Sequence, residues 1–241
     1  MSTWNEFLER IKDAEKELGN PDEVWYRGQF DCSWELTPSL SRFNNWEEKE
    51  KQLFIEFKRL SKGIFKERTN DWHTLFDMQH YGIPTRLLDW TVVLGVALAF
   101  VLHADYEDKT DSAIYILDPL ALNRQSKRFE ILNVPEEKDF EYQKIYWENK
   151  PASIEKPLAI QPTYISDRLK AQAGRFTIYG SAEGSFESMQ NSVYKKVILP
   201  ASAKEEARQF LKWANLNEFT IYPDIVGISN HIRNKVLRDK L

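Results

Sequence analysis

The chain has 241 residues, of which 42% are hydrophobic and 13% aromatic, which is enough for one sizeable domain or two small ones. The net charge of −4 excludes a chain-wide basic surface, so nucleic acid is not the partner that composition favours. The single cysteine, Cys32, excludes an internal disulfide and any multi-cysteine metal site, and it is typical of a reducing cytosol.

In the first half of the chain, the apolar spacing predicts helices over 3–18, 46–68, 72–81 and 92–103, with a strand over 23–29. Thr91 is placed to cap the last of these helices, whose apolar residues cover every side, as in a central helix. Its apolar run, 92–102, is well short of the ~20 residues that a membrane span needs. The charged N-terminal stretch does not resemble a signal peptide. We therefore expect a soluble cytoplasmic protein with no membrane partner.

The second half of the chain is richer in predicted strands, which lie at 112–119, 157–162, 175–180, 193–200 and 218–223. Helices are predicted over 164–173, after a capping box from Ser202 to Glu205, and from Asp224 onward. The polar stretch 123–156 predicts a long excursion with one short helix, where a boundary would fall. The pattern predicts an α+β fold: a mixed, mainly antiparallel sheet with helices packed around it.

Three motifs stand together in this order: YRGQ at 26–29, QHYGIPTRLLDWT at 79–91, and SAIYILDP at 112–119. On these motifs the chain resembles the FRG domain family, whose name reflects an aromatic–Arg–Gly motif, here Tyr26-Arg27-Gly28. The resemblance implies an N-terminal helix at 1–21 followed by an FRG domain at 22–241. The family is mostly bacterial and phage-associated, which implies a phage-defence or toxin-type role.

The order of a strand bearing Arg27, then helices, then a hydroxyl-rich turn is similar to ADP-ribosyltransferase-like folds. That similarity implies NAD as the ligand, held by Arg27, with Thr85 or Tyr81 in the second place of the site. No late ExE motif fills the third place, for which the candidates are Gln172, Glu218 and Asp224.

Arg27, Gly28 and Gln29 form the first candidate ligand-binding group. A guanidinium suits a phosphate or carboxylate, and a glycine beside it lets a ligand approach the backbone. The alternative is a structural ion pair between Arg27 and a carboxylate such as Asp89.

Arg86 and Asp89 form the second candidate group, because they precede a predicted helix whose free amides suit an anion near Arg86. The alternative is a buried polar network in which Asp89 pairs with Arg86. Among their neighbours, Tyr81 is a candidate to stack on a planar ring. His80 suits an interaction with the helix dipole better than catalysis.

Gln172 lies where a helix passes into a strand, so its amide is a candidate for facing a ligand; an ordinary turn explains it equally. The histidines at 73, 80, 103 and 231 lack ligand spacing with carboxylates, so we expect no metal. There is no Walker loop, GxGxxG or GxSxG motif, which argues against P-loop NTPases, Rossmann enzymes and standard α/β-hydrolases.

Two functions remain open at this stage. The first is NAD-dependent ADP-ribosyl transfer or NAD hydrolysis, with Asp89 or Glu218 as the catalytic acid. The second is a non-catalytic module that binds a nucleotide, a nucleic acid or a protein partner. The first uses a small nucleotide ligand; both use the same arginines, and only the first needs the carboxylate for turnover.

Overall fold

The computed structural model describes residues 3–65, 70–102, 109–137, 139–150, 154–164, 166–180 and 192–237. The helices are α1 (Thr3–Glu17), α2 (Trp46–Ser61), α3 (Asp71–His80), α4 (Leu94–Leu102), α5 (Pro119–Arg124), α6 (Tyr142–Tyr146), α7 (Asp167–Ala171), α8 (Lys204–Trp213), α9 (Glu218–Ile221) and α10 (Ile225–Leu237). The strands are β1 (Trp25–Gln29), β2 (Leu87–Thr91), β3 (Ser112–Leu117), β4 (Leu132–Val134), β5 (Leu158–Pro162), β6 (Gly174–Ile178) and β7 (Tyr194–Leu199). The ends of two predicted helices, at 66–68 and 103, lie outside the described residues.

The strands form one seven-stranded sheet in the order β4-β5-β6-β2-β1-β3-β7. β4 and β5 are parallel, and every other neighbouring pair is antiparallel. This confirms the predicted α+β class with a mixed, mainly antiparallel sheet. Neighbours in the sheet are mostly distant in sequence, so the helices connect strands across the sheet rather than through hairpins.

The two faces of the sheet bury different apolar sets, because successive residues of a strand point to opposite faces. On one face, α1 packs on β3 and β7, α4 packs mainly on β1, and α8 packs on α4 and α1, around a cluster that includes Ile114 and Val197. Farther along, α3 and α6 contribute to a second cluster with β5 and β6. The opposite face carries a third cluster of large side chains, among them Trp25 and Trp90.

α1 confirms the predicted amphipathic helix and ends one residue before its predicted end. Its apolar side chains Phe7, Ile11 and Ala14 are buried in the cluster that also contains α4. α4 is buried on nearly every side, as its composition predicts, and only Phe100 is clearly exposed. In the described parts of the chain, no helix has both the length and the apolar character to cross a bilayer.

β2 is the main element that sequence reasoning did not predict. Residues 87–91 were expected to form the polar approach to a helix, but they pair along their whole length with β6. The Trp90 indole N–H also donates to the Thr177 hydroxyl at 2.9 Å. The helix starts only at Leu94, and Thr91 accepts a hydrogen bond from the Val93 N–H rather than capping the helix directly.

The predicted strand at 218–223 is wrong, because residues 218–221 form the short helix α9. The Asn217 side chain accepts from the Phe219 and Thr220 backbone N–H groups, and the Thr220 hydroxyl accepts from the Asn217 N–H. This capping box overrides the β-branched pattern that predicted a strand.

The capping box predicted from Ser202 to Glu205 is also wrong. A 3₁₀ turn, Ala201–Ala203, leads into α8, and Ala203 occupies the N-cap with no side-chain hydrogen bond.

The stretch 123–156 is more ordered than its polar composition predicts. It supplies β4, which pairs with β5, and the predicted short helix, α6. Tyr142, Ile145 and Tyr146 of α6 are buried in the second cluster. Part of the stretch, 151–153 together with residue 138, lies outside the described residues.

Candidate functional site

The sheet divides between its two central strands. β1 pairs with β3 over all five of its residues, and β2 pairs with β6 over all five of its own. Between β1 and β2, however, the register joins only Tyr26 with Thr91. Beyond that pair the two strands diverge and leave a fork, which exposes polar backbone groups that a continuous ladder would satisfy.

Arg27 bridges this fork. Its Nη1 donates to the backbone oxygen of Asp89 at 2.8 Å and lies 3.9 Å from the Asp89 carboxylate. The structure therefore brings Arg27 and Asp89 together on one cleft. Burial lowers the pKa of the Arg27 guanidinium from its ordinary value; nearby Asp89 opposes that effect and nearby Arg42 adds to it.

Two cavities meet at the fork. The first, of about 310 Å³, lies between β1, β2, β6 and α4 and is called the fork cavity. The second, of about 260 Å³, lies between α3, α4 and α7 and is called the helix cavity. The two share the lining residues Asp89, Phe100, Leu169, Gln172 and Phe176. Sites for small ligands in proteins typically have volumes of ~300–1,000 Å³, so the joined cavities fall in that range.

Aromatic side chains line both cavities, arginines are concentrated in the fork cavity, and the helix cavity has one arginine together with Asp77 and Asp89. Arg27, Arg42 and Arg175 line the fork cavity, and Arg168 lines the helix cavity. Aromatic rings line both, namely Tyr26, Phe30, Trp34, Trp90, Phe100 and Phe176 in the fork cavity and Phe65, Phe76, Tyr81, Phe100 and Phe176 in the helix cavity. Guanidinium groups beside flat rings suit a ligand that combines anionic groups with planar ones.

Asp89 is held in place by the motif at 79–91. The Gln79 Nε2 donates to Asp89 Oδ2 at 2.7 Å, and the Thr85 hydroxyl donates to the Gln79 side-chain oxygen at 2.5 Å. The Thr85 oxygen in turn accepts from the Leu87 N–H at 3.1 Å. These bonds fix the rotamer of Asp89 while its side chain remains 52% exposed toward the cavities. Such a carboxylate is preorganised for a ligand.

Thr85 belongs to this series of hydrogen bonds and does not line the cleft. It is fully buried and lines neither cavity. The prediction that Thr85 faces the cleft is therefore wrong, because its hydroxyl is directed to Gln79 and the backbone.

Arg86 does not reach the cleft, contrary to prediction. It is 3% exposed, and its Nε and Nη2 donate to the two carboxylate oxygens of Glu50 at 2.7 and 2.5 Å. Its guanidinium also lies over the rings of Trp46 and Tyr146. Burial by itself lowers the pKa of Arg86, but Tyr142 and the Glu50 carboxylate raise it above its ordinary value. Neither the predicted anion site near Arg86 nor its pairing with Asp89 is present.

Gly28 lines the fork cavity, and it also has a packing role. A Cβ atom at this position would lie 2.2 Å from the Ala97 backbone oxygen and 2.6 Å from Val101, both in α4. The absent side chain therefore lets α4 approach the sheet and form one wall of the fork cavity. The glycine shapes the cavity through the helix.

Gln29 is 5% exposed and lines the fork cavity. Its Nε2 donates to the Glu35 backbone oxygen at 3.1 Å, which fixes the orientation of the amide. Its Oε1 is buried with no hydrogen-bond partner among the described residues, and the Nε of Arg27 is in the same condition. Buried polar atoms are normally satisfied, so these two require an explanation.

Gln172 and Tyr81 both border the cleft. Gln172 follows α7 and lines both cavities; its Nε2 donates to the Ile221 backbone oxygen at 3.2 Å, and its own backbone oxygen accepts from the Thr91 hydroxyl at 2.7 Å. Tyr81 is 62% exposed at the rim of the helix cavity, where its ring packs against His80 and Phe65.

Glu218 lies away from the cleft, contrary to the prediction of a catalytic role. It is on α9, where its carboxylate accepts from the Asn234 amide at 2.6 Å and lies 3.8 Å from His231. It lines neither cavity. The assignment failed because it assumed a late strand at this position, whereas the chain forms a helix that turns Glu218 toward α10.

Several residues of the cleft were not predicted. Gln79 belongs to the motif at 79–91. It lies six residues before Thr85 and ten before Asp89, and these spacings do not predict the contacts that it makes with both. Arg175 pairs with Glu23 at 3.3 Å, and Arg168 lies 4.7 Å from the centre of the Tyr222 ring. Burial raises the pKa of the Tyr222 hydroxyl to about 12. Only the tertiary structure brings these groups to one cleft.

Within the described residues, no group of three or more His, Cys, Asp or Glu side chains is placed to hold a metal ion.

A family model supports the resemblance that the motifs imply. Residues 22–110 match the FRG domain, a range that contains β1, β2, α3 and α4 and hence the fork. Over this part of its length the chain is thus similar to the FRG domain. Searches of the curated proteins and of the solved structures gave no match.

Proposed function

We propose that the joined cavities bind NAD and that the chain cleaves the N-glycosidic bond of this ligand, as an ADP-ribosyltransferase or an NAD hydrolase. The observation that carries the proposal is the Asp89 carboxylate, which lies where the two cavities meet, is held by Gln79 and stands beside Arg27. A fixed carboxylate between two cavities is suited to act on a bond that joins a group in one cavity to the rest of the ligand in the other.

The residues present fit such a ligand. A dinucleotide has two phosphates and two planar bases; the fork cavity offers three arginines, the helix cavity offers one, and both offer aromatic rings. Arg27 and Gln29, both on β1, line the fork cavity.

The proposed reaction depends on stabilising a positive charge that develops on the ribose. Breaking an N-glycosidic bond leaves positive charge on the ribose, and a fixed carboxylate stabilises that charge. Asp89 is suited to this role because Gln79 holds one of its oxygens and the carboxylate remains solvent-accessible. Arg27 positions the ligand and, through its bond to the Asp89 backbone, holds the two sides of the fork together.

A second candidate is a non-catalytic nucleotide-binding module. The observation that favours it is the position of Glu218, which is bonded to α10 and does not provide a second carboxylate beside Asp89. Such a module would use the same arginines and rings, with a protein partner receiving the signal. In either form, NAD consumption or nucleotide sensing suits a phage-defence or toxin-type role.

The test separates the two functions. Purified protein is incubated with NAD, free nicotinamide is followed, and NAD binding is measured by calorimetry. We expect release of nicotinamide by the wild type, and an Asp89→Asn variant that binds NAD but turns over ~10²–10³ times more slowly. Asp167→Asn, at an exposed acid of α7 that lines neither cavity, is the matched control and should behave as the wild type.

Binding without any turnover by the wild type would establish the second candidate and reject the enzyme. No binding of NAD at all would reject the NAD proposal in both forms.

A further inference from the structure

We infer that the fork cavity receives the adenosine diphosphate half of the ligand, with Arg42 as a phosphate-binding residue, and that the nicotinamide end passes Asp89 into the helix cavity. This placement rests on the proposed function and gives the ligand a direction in the cleft. It also assigns a role to Arg42, an arginine that lies outside the three motifs of the sequence analysis.

The two cavities differ in charge. Arg27, Arg42 and Arg175 line the fork cavity, where Asp89 is the one carboxylate among the described lining residues. Asp77 and Asp89 line the helix cavity beside a single arginine and a histidine whose pKa is lowered, so its balance is acidic. A cleft lined by one sign of charge concentrates ions of the opposite sign. The diphosphate therefore favours the fork cavity, and the nicotinamide ring, which is cationic in NAD, favours the helix cavity.

Arg42 combines an anchored backbone with a free side chain. It ends the 3₁₀ turn Leu40–Arg42, in which Leu40 is fully buried and its backbone N–H donates to the Thr85 backbone oxygen at 3.4 Å. The turn is thus attached to the motif that also carries Asp89. The Arg42 guanidinium, in contrast, makes no hydrogen bond or ion pair with the described residues and lines the fork cavity. Its charge is therefore available to a ligand.

The other two arginines of the fork cavity are already bonded to protein groups. Arg175 is 9% exposed and forms an ion pair with Glu23 at 3.3 Å. Arg27 donates to the Asp89 backbone. Burial lowers the pKa of Arg27, and Arg42 is near enough to lower it further. Like charges that share a cavity repel each other, and a diphosphate that accepts charge-assisted hydrogen bonds from guanidinium groups would offset that repulsion.

Aromatic rings are placed for both ends of such a ligand. Phe30 and Trp34 line the fork cavity with their ring centres 6.4 Å apart and offer a flat apolar surface to adenine. Tyr81, at the rim of the helix cavity, offers its ring to nicotinamide. Asp89 borders both cavities, so in this arrangement the bond between nicotinamide and ribose lies beside its carboxylate.

The test is calorimetric titration of ADP and of NAD into the wild type and into single variants. We expect Arg42→Met to weaken the binding of both ligands about tenfold, because charge-assisted hydrogen bonds to phosphate are lost. Added salt should weaken ADP binding less in this variant than in the wild type, since one attracting charge is gone. The midpoint of urea unfolding should not change, because Arg42 has no partner among the described residues.

Two further variants complete the design. Arg124→Met is the matched control, because Arg124 also ends a short helix, is exposed and lines neither cavity; it should bind both ligands as the wild type does. Tyr81→Leu tests the direction of the ligand. It should weaken NAD binding by about two- to tenfold through the loss of ring stacking and leave ADP binding unchanged.

Unchanged binding of ADP and NAD to Arg42→Met would overturn the diphosphate site, while nicotinamide release by the wild type would leave the proposed function standing. An equal loss of ADP and NAD affinity in Tyr81→Leu would overturn the direction, because the adenosine half would then lie in the helix cavity. Binding of ADP that depends on Arg42, without binding of NAD, would support the diphosphate site and reject the proposed function. Failure of the wild type to bind either ligand would reject both.

Discussion

Arg27 and Arg86 both belong to motifs that were predicted to bind a ligand, yet they lie in opposite environments. Arg86 is enclosed by rings, and its guanidinium is matched by both oxygens of Glu50 and by backbone carbonyls. Arg27 lies in a fork of the sheet, 21% exposed, with one nitrogen bonded to the Asp89 backbone and Nε without a partner in the described structure. A buried arginine whose guanidinium is hydrogen-bonded to protein groups on several sides holds a fold together. A partly exposed arginine at a cavity, with fewer such bonds, is available to a ligand.

The largest expected effect is the loss of stability when Arg86 is replaced. Arg86→Met leaves the Glu50 carboxylate buried without a counter-charge, so we expect the free energy of unfolding to fall by ~3–5 kcal/mol in a urea titration. The double variant Arg86→Met/Glu50→Met removes both charges and should recover most of this loss. A loss below ~1 kcal/mol for Arg86→Met alone would show that the pair is not structural.

The next effect is the loss of ligand binding when Arg27 is replaced. Arg27→Met removes one hydrogen bond and a partly exposed ion pair, so we expect the stability to fall by only ~1 kcal/mol. NAD binding, in contrast, should weaken by about 10- to 100-fold, because charge-assisted hydrogen bonds to the ligand are lost. Arg27→Lys keeps the charge but not the planar group and should restore little of the affinity. A large stability loss with unchanged binding would reverse the comparison of the two arginines.

The smallest effect is a pH dependence at the rim of the helix cavity. Burial lowers the pKa of His80, the positive charge of Arg168 lowers it further, and Asp224 and Asp77 oppose the change. The unfolded chain, with a histidine pKa of about 6.5, therefore takes up a proton before the folded one does. The contribution to stability is present above that value and is lost as the pH falls from it through the lower pKa of the folded state.

Unfolding titrations between about pH 8 and about pH 5 check this, with His80→Gln as the comparison. The wild type should lose more stability than the variant as the pH falls. Parallel curves for the two proteins would show that His80 does not contribute.

Sequence reasoning succeeded where the signal is local. The periodicity of α1 and α4 and the apolar run of β3 depend on side chains within one element, so neighbouring residues suffice to predict them. The motifs also drew attention to Arg27 and Asp89, because arginine on an aromatic strand and aspartate before a buried helix both need partners.

The tertiary structure decided which partners these residues have. Glu50 is 36 residues from Arg86 along the chain and belongs to a helix that showed no sign of a buried charge, so the sequence predicted Asp89 in its place. In the same way, β2 became a strand through pairing with β6, and the fork arose because β1 pairs fully with β3 but not with β2. Helix and strand patterns follow from contacts between near neighbours. The partners of a buried charge, and the gap between two strands, depend on residues that only folding brings together.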